Sequence, residues 1–287
     1  MTLGLVYDRI RVEEKELIES AKSRGIDLKL VDTKQEYIDI HDEKEKLEEK
    51  YGTTVLIRCV SYFRGFSVGA CLENKGIKVI NNTKVLQICG NKLLTSLALV
   101  KAKIPTPKTM VSFSLEGALE SSEKLGYPSV LKPLIGSWGR MVVPLKDRDI
   151  AKAMIEMREE MSNPLDKIYY IQEYVDRPPR DIRCIVVGDE IVSAIYRYSP
   201  PDDWRTNVAR GGTVEPYPVN DEFEDLILRT SKAVGGGVLG VDAMESKEHG
   251  ILIHEINSTV EFRGAASVSK CNIADEIIKY ALKLDRR

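Results

Sequence analysis

Along this chain, short apolar runs alternate with longer segments in which charged residues recur at helical spacing. Leu3-Gly4-Leu5-Val6-Tyr7 has the length of a strand, and residues 12–24 then carry a charged helical pattern closed by Gly25. Residues 27–31, Val55-Leu56-Ile57-Arg58 and Lys78-Val79-Ile80 read as further strands, with a helix over 67–75 before the last. Strand, helix and strand in succession predict a parallel sheet, so residues 1 to 85 form one small α/β lobe. The run 41–50 alternates in charge and reads as a solvated loop or helix face.

Residues 91–102 are helical, and Ile104-Pro105-Thr106-Pro107 ends that helix. The pattern then runs strand, helix (Leu115–Leu125), strand (Ser129–Lys132), glycine loop, strand (141–144), helix (150–161) and strand (168–172). Strands over 183–187, 191–198, 240–244 and 251–256 follow, flanked by helices at Asp221–Val234 and 273–284. The expectation is a mixed α/β and α+β protein of three lobes, 1–85, 86–172 and 173–287.

A length of 287 residues suits two or three lobes with ample core. The net charge of −2 argues against nucleic acid or an anionic membrane as partner, since either favours a basic stripe. Five scattered cysteines without a CxxC pair point to reduced thiols in a cytoplasmic protein and away from structural zinc. The first apolar run is too short for a signal peptide, and no apolar stretch reaches the roughly 20 residues of a membrane helix.

Several separated segments carry candidate chemistry. Lys132 ends an apolar strand before Pro133, where a lysine can hold a point charge over a phosphate or simply snorkel to the surface. Gly136-Ser137-Trp138-Gly139-Arg140 follows. Its glycines permit positive φ and inward-pointing N–H groups, Trp138 can serve as a lid and Arg140 adds a cation, although a plain hairpin turn fits the same residues. Gln172-Glu173-Tyr174-Val175 ends a strand before a proline-rich bend, and its backbone can meet an adenine edge. In residues 251–257, alternation puts Ile253, Glu255 and Asn257 on one face. Glu255 and Asn257, with Asp242 from the apolar run 238–243, offer oxygen ligands suited to magnesium; the alternative is a buried Asp242 neutralised by an arginine. Arg183, Arg197, Arg205, Asn207 and Arg210, joined by Arg58 and Arg64 from the first lobe, suit anionic substrates. His41, His249 and His254 have no ligand spacing and read as structural.

In this order the segments resemble an ATP-grasp ligase of the ribosomal S6 modification group, and most closely the amino-group carrier protein ligases of lysine and arginine biosynthesis, the LysX and ArgX enzymes. The resemblance spans essentially the whole chain. It rests on Asp8-Arg9-Ile10-Arg11, Arg58-Cys59-Val60-Ser61, the glycine loop, Gln172-Glu173-Tyr174-Val175, Arg180-Asp181-Ile182-Arg183, Thr206-Asn207-Val208-Ala209-Arg210-Gly211-Gly212 and Val260-Glu261-Phe262-Arg263. It implies a three-lobed ATP-grasp fold behind an N-terminal parallel-sheet pre-ATP-grasp domain, with ATP and Mg2+ as cofactors. It also implies a homo-oligomer and a small acidic carrier protein, LysW, as partner.

In the family, ATP phosphorylates the side-chain carboxylate of the carrier's C-terminal glutamate, and the α-amino group of glutamate or α-aminoadipate attacks the acyl phosphate. Carried over, Lys92 and Lys132 hold phosphates, Glu173 and Val175 frame adenine, and Asp242, Glu255 and Asn257 hold magnesium. Arg205, Asn207 and Arg210 act at the reacting groups, and Arg58, Arg64, Arg183, Arg197, Asn257, Thr259, Glu261, Phe262 and Arg263 contact substrate. Lysine-pathway members carry Glu-Phe-Lys-Asn where this chain has Glu261-Phe262-Arg263-Gly264, which leans towards glutamate. Alternatives are a ligase adding glutamate to another protein and a nucleotide-binding regulator with a degenerate site.

Overall fold

The computed structural model describes residues 2–199 and 212–285, arranged around three sheets. In the first, β1 (Leu3–Tyr7), β2 (Leu28–Asp32), β3 (Thr54–Ile57) and β4 (Lys78–Ile80) lie parallel in the order β2-β1-β3-β4. β1 and β3 are buried on both faces, which is why they read as continuous apolar runs. Leu3 and Leu5 face α1 (Val12–Ser23), while Val6 faces α2 (Lys44–Tyr51) and α3 (Tyr62–Asn74).

The second sheet is antiparallel. It joins β5 (Thr109–Ser112), β6 (Ser129–Lys132), β7 (Val143–Leu145) and β8 (Tyr169–Glu173) in the order β5-β8-β6-β7, packed on α6 (Leu115–Leu125) and α7 (Arg148–Glu159). The third, also antiparallel, holds β9 (Arg180–Val187), β10 (Glu190–Tyr198), β11 (Val214–Pro216), β12 (Val238–Ser246) and β13 (Gly250–Asn257) in the order β11-β10-β9-β12-β13. One of its faces buries Ile182, Cys184, Leu239, Val241 and Ile253 beneath α5 (Lys92–Lys101) and α8 (Asp221–Val234), with α4 (Thr83–Cys89) at the margin. The other buries Ile185, Ile195 and Val238 in the same core as Leu3, Leu5 and Leu56. Short α9 (Arg263–Ala266) and α10 (Ile273–Asp285) complete that core, so the first and third lobes share one apolar interior.

Several elements differ from the sequence pattern. The charged run over 41–50 contains α2, whose Leu47 and Tyr51 alone turn inward. α3 begins five residues before the expected start, because Ser61 accepts a hydrogen bond from Arg64 N–H and caps it while Gly65 and Gly69 dilute its pattern. α4 is a separate helix capped by Asn82. β9 reaches back to Arg180, directly after Pro179.

Candidate active site

A cavity of about 1230 Å3 opens where the three sheets converge. The loops after β1 and β3 reach it with Arg11, Cys59 and Ser61. They lie at the carboxyl ends of two parallel neighbours from which the chain departs in opposite directions, the place where open α/β sheets bind ligands. Opposite stands one face of the third sheet, carrying Asp181, Arg183, Arg197, Asp242, Glu255 and Asn257, and the loop between β6 and β7 spans the gap.

Sheet register assembles the charged floor. Asp242 lies opposite Arg183 on one side and Glu255 on the other, and Arg197 lies opposite Asp181. Arg183 binds Asp242 with both Nε and Nη2, the latter at 2.8 Å from Oδ2. Arg197 grips Asp181 through two bonds of 2.8 and 2.7 Å and reaches Asp242 Oδ1 at 3.1 Å. Asn257 Nδ2 donates to Asp242 Oδ2 at 3.4 Å. Gly240 leaves room for Arg183, since a Cβ there would lie 3.1 Å from Nη1. Burial works to raise the Asp242 carboxyl, but Arg183 and Arg197 hold it below the usual carboxylate range.

Strict alternation fails on β13. The register slips at His254, a β-bulge, so Ile253 and Ile256 both enter the core while His254, Glu255 and Asn257 all line the cavity. The expectation that Ile253 shares a face with Glu255 and Asn257 is thereby corrected. The bulge also brings His254, which reads as structural from the sequence, into the site. Its Nε2 is buried without a hydrogen-bond partner among the described residues, and burial with Lys132 nearby lowers its pKa to about 4, so the ring is neutral at physiological pH.

Cations face this floor. Lys92 Nζ donates to Gly136 O at 2.9 Å and pairs with Glu255 Oε1 at 3.1 Å. Against burial, Lys92 draws the Glu255 carboxyl below its ordinary value. Lys132 Nζ donates to Gln172 Oε1 at 2.5 Å, and burial lowers its pKa to about 8. In the glycine loop Trp138 and Gly139 adopt φ of 60° and 65°. Trp138 Nε1 reaches both oxygens of Glu261 at 3.2 Å, Arg11 binds Glu261 at 2.9 Å, and the Arg140 guanidinium lies 4.8 Å from the Trp138 ring centre.

Lys92, Lys132, Gly136, Ser137, Trp138, Gly139, Arg140, Arg183, Arg197, Asp242, Glu255, Asn257, Thr259, Glu261 and Arg263 thus meet at one cavity. Other expected site residues lie elsewhere. Arg58 is buried between Glu14, at 3.0 Å from Nε, and Val260 O, at 2.8 Å from Nη2, where it holds the 258–263 segment instead of a substrate. Phe262 is wholly within the apolar core. Arg64 points outward, 3.8 Å from Asp8. Gln172 is buried and turned to Lys132, Glu173 accepts from Lys108 N–H at 2.7 Å, and Tyr174 and Val175 lie off the cavity lining. Arg205, Asn207 and Arg210 fall outside the described residues. Arg11 and Arg177 line the cavity without having been expected there.

The described residues hold no cluster of three or more His, Cys, Asp or Glu side chains able to bind a metal. Asp242 and Glu255 in register, with Asn257 beside them, are two carboxylates and one amide on one wall. That hard-oxygen set fits magnesium, which takes few protein ligands and completes its shell with phosphate and water.

Known proteins share the sequence and the architecture of this chain. Residues 3–88 match the LysX preATP-grasp domain and residues 89–281 the RimK-like ATP-grasp domain. The alpha-aminoadipate–LysW ligase LysX of Sulfurisphaera tokodaii is 39% identical over 97% of each chain. The glutamate–LysW ligase ArgX of the same organism is 33% identical over 98% of each. A RimK-domain ATP-grasp protein from Sphaerobacter thermophilus superposes with a TM-score of 0.79 at 23% identity, covering 98% of this chain and 99% of that one. With its amino-terminal parallel sheet, its antiparallel sheets and a cation-lined cavity between them, the chain belongs to the RimK-like ATP-grasp family and carries a LysX-type preATP-grasp domain.

Proposed function

We propose that this protein uses ATP to join the α-amino group of an acidic amino acid to the side-chain carboxylate of the C-terminal glutamate of the carrier LysW. One observation carries the reading: Lys92, Lys132 and the glycine loop face Asp242, Glu255 and Asn257 across a single cavity. A carboxylate is a poor electrophile, and transfer of the γ-phosphoryl group to it creates an acyl phosphate with phosphate as leaving group. The amine then attacks the acyl carbon, loses a proton, and phosphate departs. Lys92, Lys132 and the loop N–H groups hold the phosphates, and the proposed adenine edge is the backbone at Tyr174 and Val175, beyond the cavity lining and next to Glu173, whose own N–H donates to Lys108 O at 2.9 Å. Asp242, Glu255 and Asn257 would hold magnesium, which would supply neutralisation of phosphate charge. The 136–140 loop, drawn across the cavity by Trp138 and Glu261, shields the acyl phosphate from water. Among the described residues the lining carries eight lysine and arginine side chains against four carboxylates, in a chain of net charge −2, which favours anionic substrates.

Glutamate is the proposed amino acid, from Glu261-Phe262-Arg263-Gly264. α-Aminoadipate is the second reading, favoured by the higher identity to the aminoadipate enzyme, 39% against 33%. The test is incubation with ATP, magnesium, LysW and either amino acid, followed by intact mass of the carrier. The expected result is a mass gain of one glutamate residue. A gain only with α-aminoadipate transfers the assignment to the second reading, and no gain with either removes the function. Arg210, with Arg205 and Asn207, is proposed to orient substrate carboxylates. Arg210→Ala is expected to raise KM for the amino acid or carrier well above any change for ATP, in steady-state kinetics varying each substrate in turn.

A further inference from the structure

Both oxygens of Asp242 are already shared by two protein donors. Oδ1 meets Arg183 Nε and Arg197 Nη2, and Oδ2 meets Arg183 Nη2 and Asn257 Nδ2. A carboxylate oxygen has two lone pairs, so a divalent cation ligated by Asp242 has to displace one of these donors: the Asn257 amide, whose 3.4 Å contact is the longest, or an arginine, which the ion's charge also repels. The two arginines differ in what they lose. Arg197 keeps its bidentate partner Asp181. For Arg183, Asp242 is the paired carboxylate among the described residues, and its guanidinium lies over the bare backbone of Gly240 at the cavity wall.

We infer that Arg183 is an internal counter-ion occupying the cation seat on Asp242, and that a divalent cation arriving with nucleotide displaces it into the cavity, where the freed guanidinium captures the carboxylate of the acidic substrate. This rests on the ligase reading and its metal ligands. A guanidinium and a divalent ion on one carboxylate repel each other at a few ångströms. A buried guanidinium stripped of its partner seeks a new anion, and its planar fork matches a carboxylate. Metal loading therefore creates the substrate's anion site, and by reciprocity bound substrate strengthens metal binding. Lys92 repeats the arrangement at Glu255, but its second bond to Gly136 O keeps it with the loop. The consequence is ordered binding, metal–nucleotide first, with water-sensitive chemistry withheld until the acid is seated.

The test measures Mn2+ binding in the presence of ADP by electron paramagnetic resonance, and glutamate and α-aminoadipate binding by calorimetry with and without Mn2+–ADP. In the unsubstituted protein, the amino acid that binds should bind about 5-fold or more tightly once Mn2+–ADP is present. Arg183→Gln should bind Mn2+–ADP more tightly than the parent by a similar factor, while its amino-acid affinity ceases to respond to the metal. Arg183→Lys keeps the charge without the fork, should fall between the two, and serves if the glutamine variant does not fold by circular dichroism. Metal affinity that is unchanged or weaker in the folded variants overturns the inference and leaves the ligase reading intact. Failure of the parent protein to bind Mn2+–ADP at all removes the ligase reading itself.

Discussion

Lys132 shows how burial sets the working range of one side chain. Water is excluded around its ammonium, and the pKa falls from the ordinary 10.5 to about 8. Between those values the unfolded chain binds the proton that the folded chain has lost, so this group's contribution to stability rises as pH climbs from 8 to 10.5. The proposed phosphate contact runs the other way, because it needs the charged lysine. ADP affinity is expected to fall above pH 8, approaching about tenfold per pH unit, with the slope absent in Lys132→Met; calorimetry at pH 7 and 9 decides. Lys132 was legible from its place at a strand end. Asp242 was legible only as one of two alternatives, a metal ligand or an arginine-neutralised carboxylate, and Arg183 and Arg197 now hold it in the second way at a wall that suits the first. His254 was not legible, because a bulge has no signature in an alternation of apolar residues.

At the scale of elements, the strands of the first sheet and the helices α6, α8 and α10 follow directly from apolar spacing. What pattern alone misses is junctions, where single polar side chains decide. Asn81 joins β4 to β12, donating from Nδ2 to Val238 O at 2.7 Å and Ser258 O at 2.8 Å while Oδ1 accepts from Val238 N–H at 2.7 Å. Gly237, at φ 106°, is pressed against it, and a Cβ there would lie 2.1 Å from Asn81 Oδ1. Gly237→Ala is therefore expected to destabilise by about 2–4 kcal/mol through backbone strain and lost hydrogen bonds, read as a lower urea midpoint at unchanged m. The short helices α4 and α9 escaped notice for the same reason: α4 is positioned by its Asn82 cap and α9 by Glu13 from the first lobe, more than by an amphipathic stripe of their own.

At the scale of the molecule, a buried polar seam ties the amino-terminal lobe to the segment that follows the third sheet. Arg58 bridges Glu14 and Val260 O, and Glu13 accepts from Phe262 N–H and Arg263 N–H, both at 3.2 Å. Arg58 reads from sequence as a substrate contact because a strand-end arginine near a cleft suits either role, and only tertiary contacts separate them. Arg58→Met should cost about 3–5 kcal/mol in denaturant unfolding, and Arg58→Met combined with Glu14→Gln less than the sum of the two single changes. Burial works to raise the Glu14 carboxyl, but Arg11 and Arg58 hold it below the ordinary 4.5. Its stabilising share is complete above pH 4.5 and disappears as pH drops through the lower folded value, so acid unfolding should begin at higher pH in Arg58→Met.

The core shared by Leu3, Leu5, Ile277, Ile278 and Ala281 has a consequence for biosynthesis. A ribosome delivers β1 long before α10, so one side of the opening sheet stays greasy and uncovered while some two hundred residues are added. The nascent amino-terminal half is therefore expected to expose that apolar face until the last helix, Ile273–Asp285, has been made.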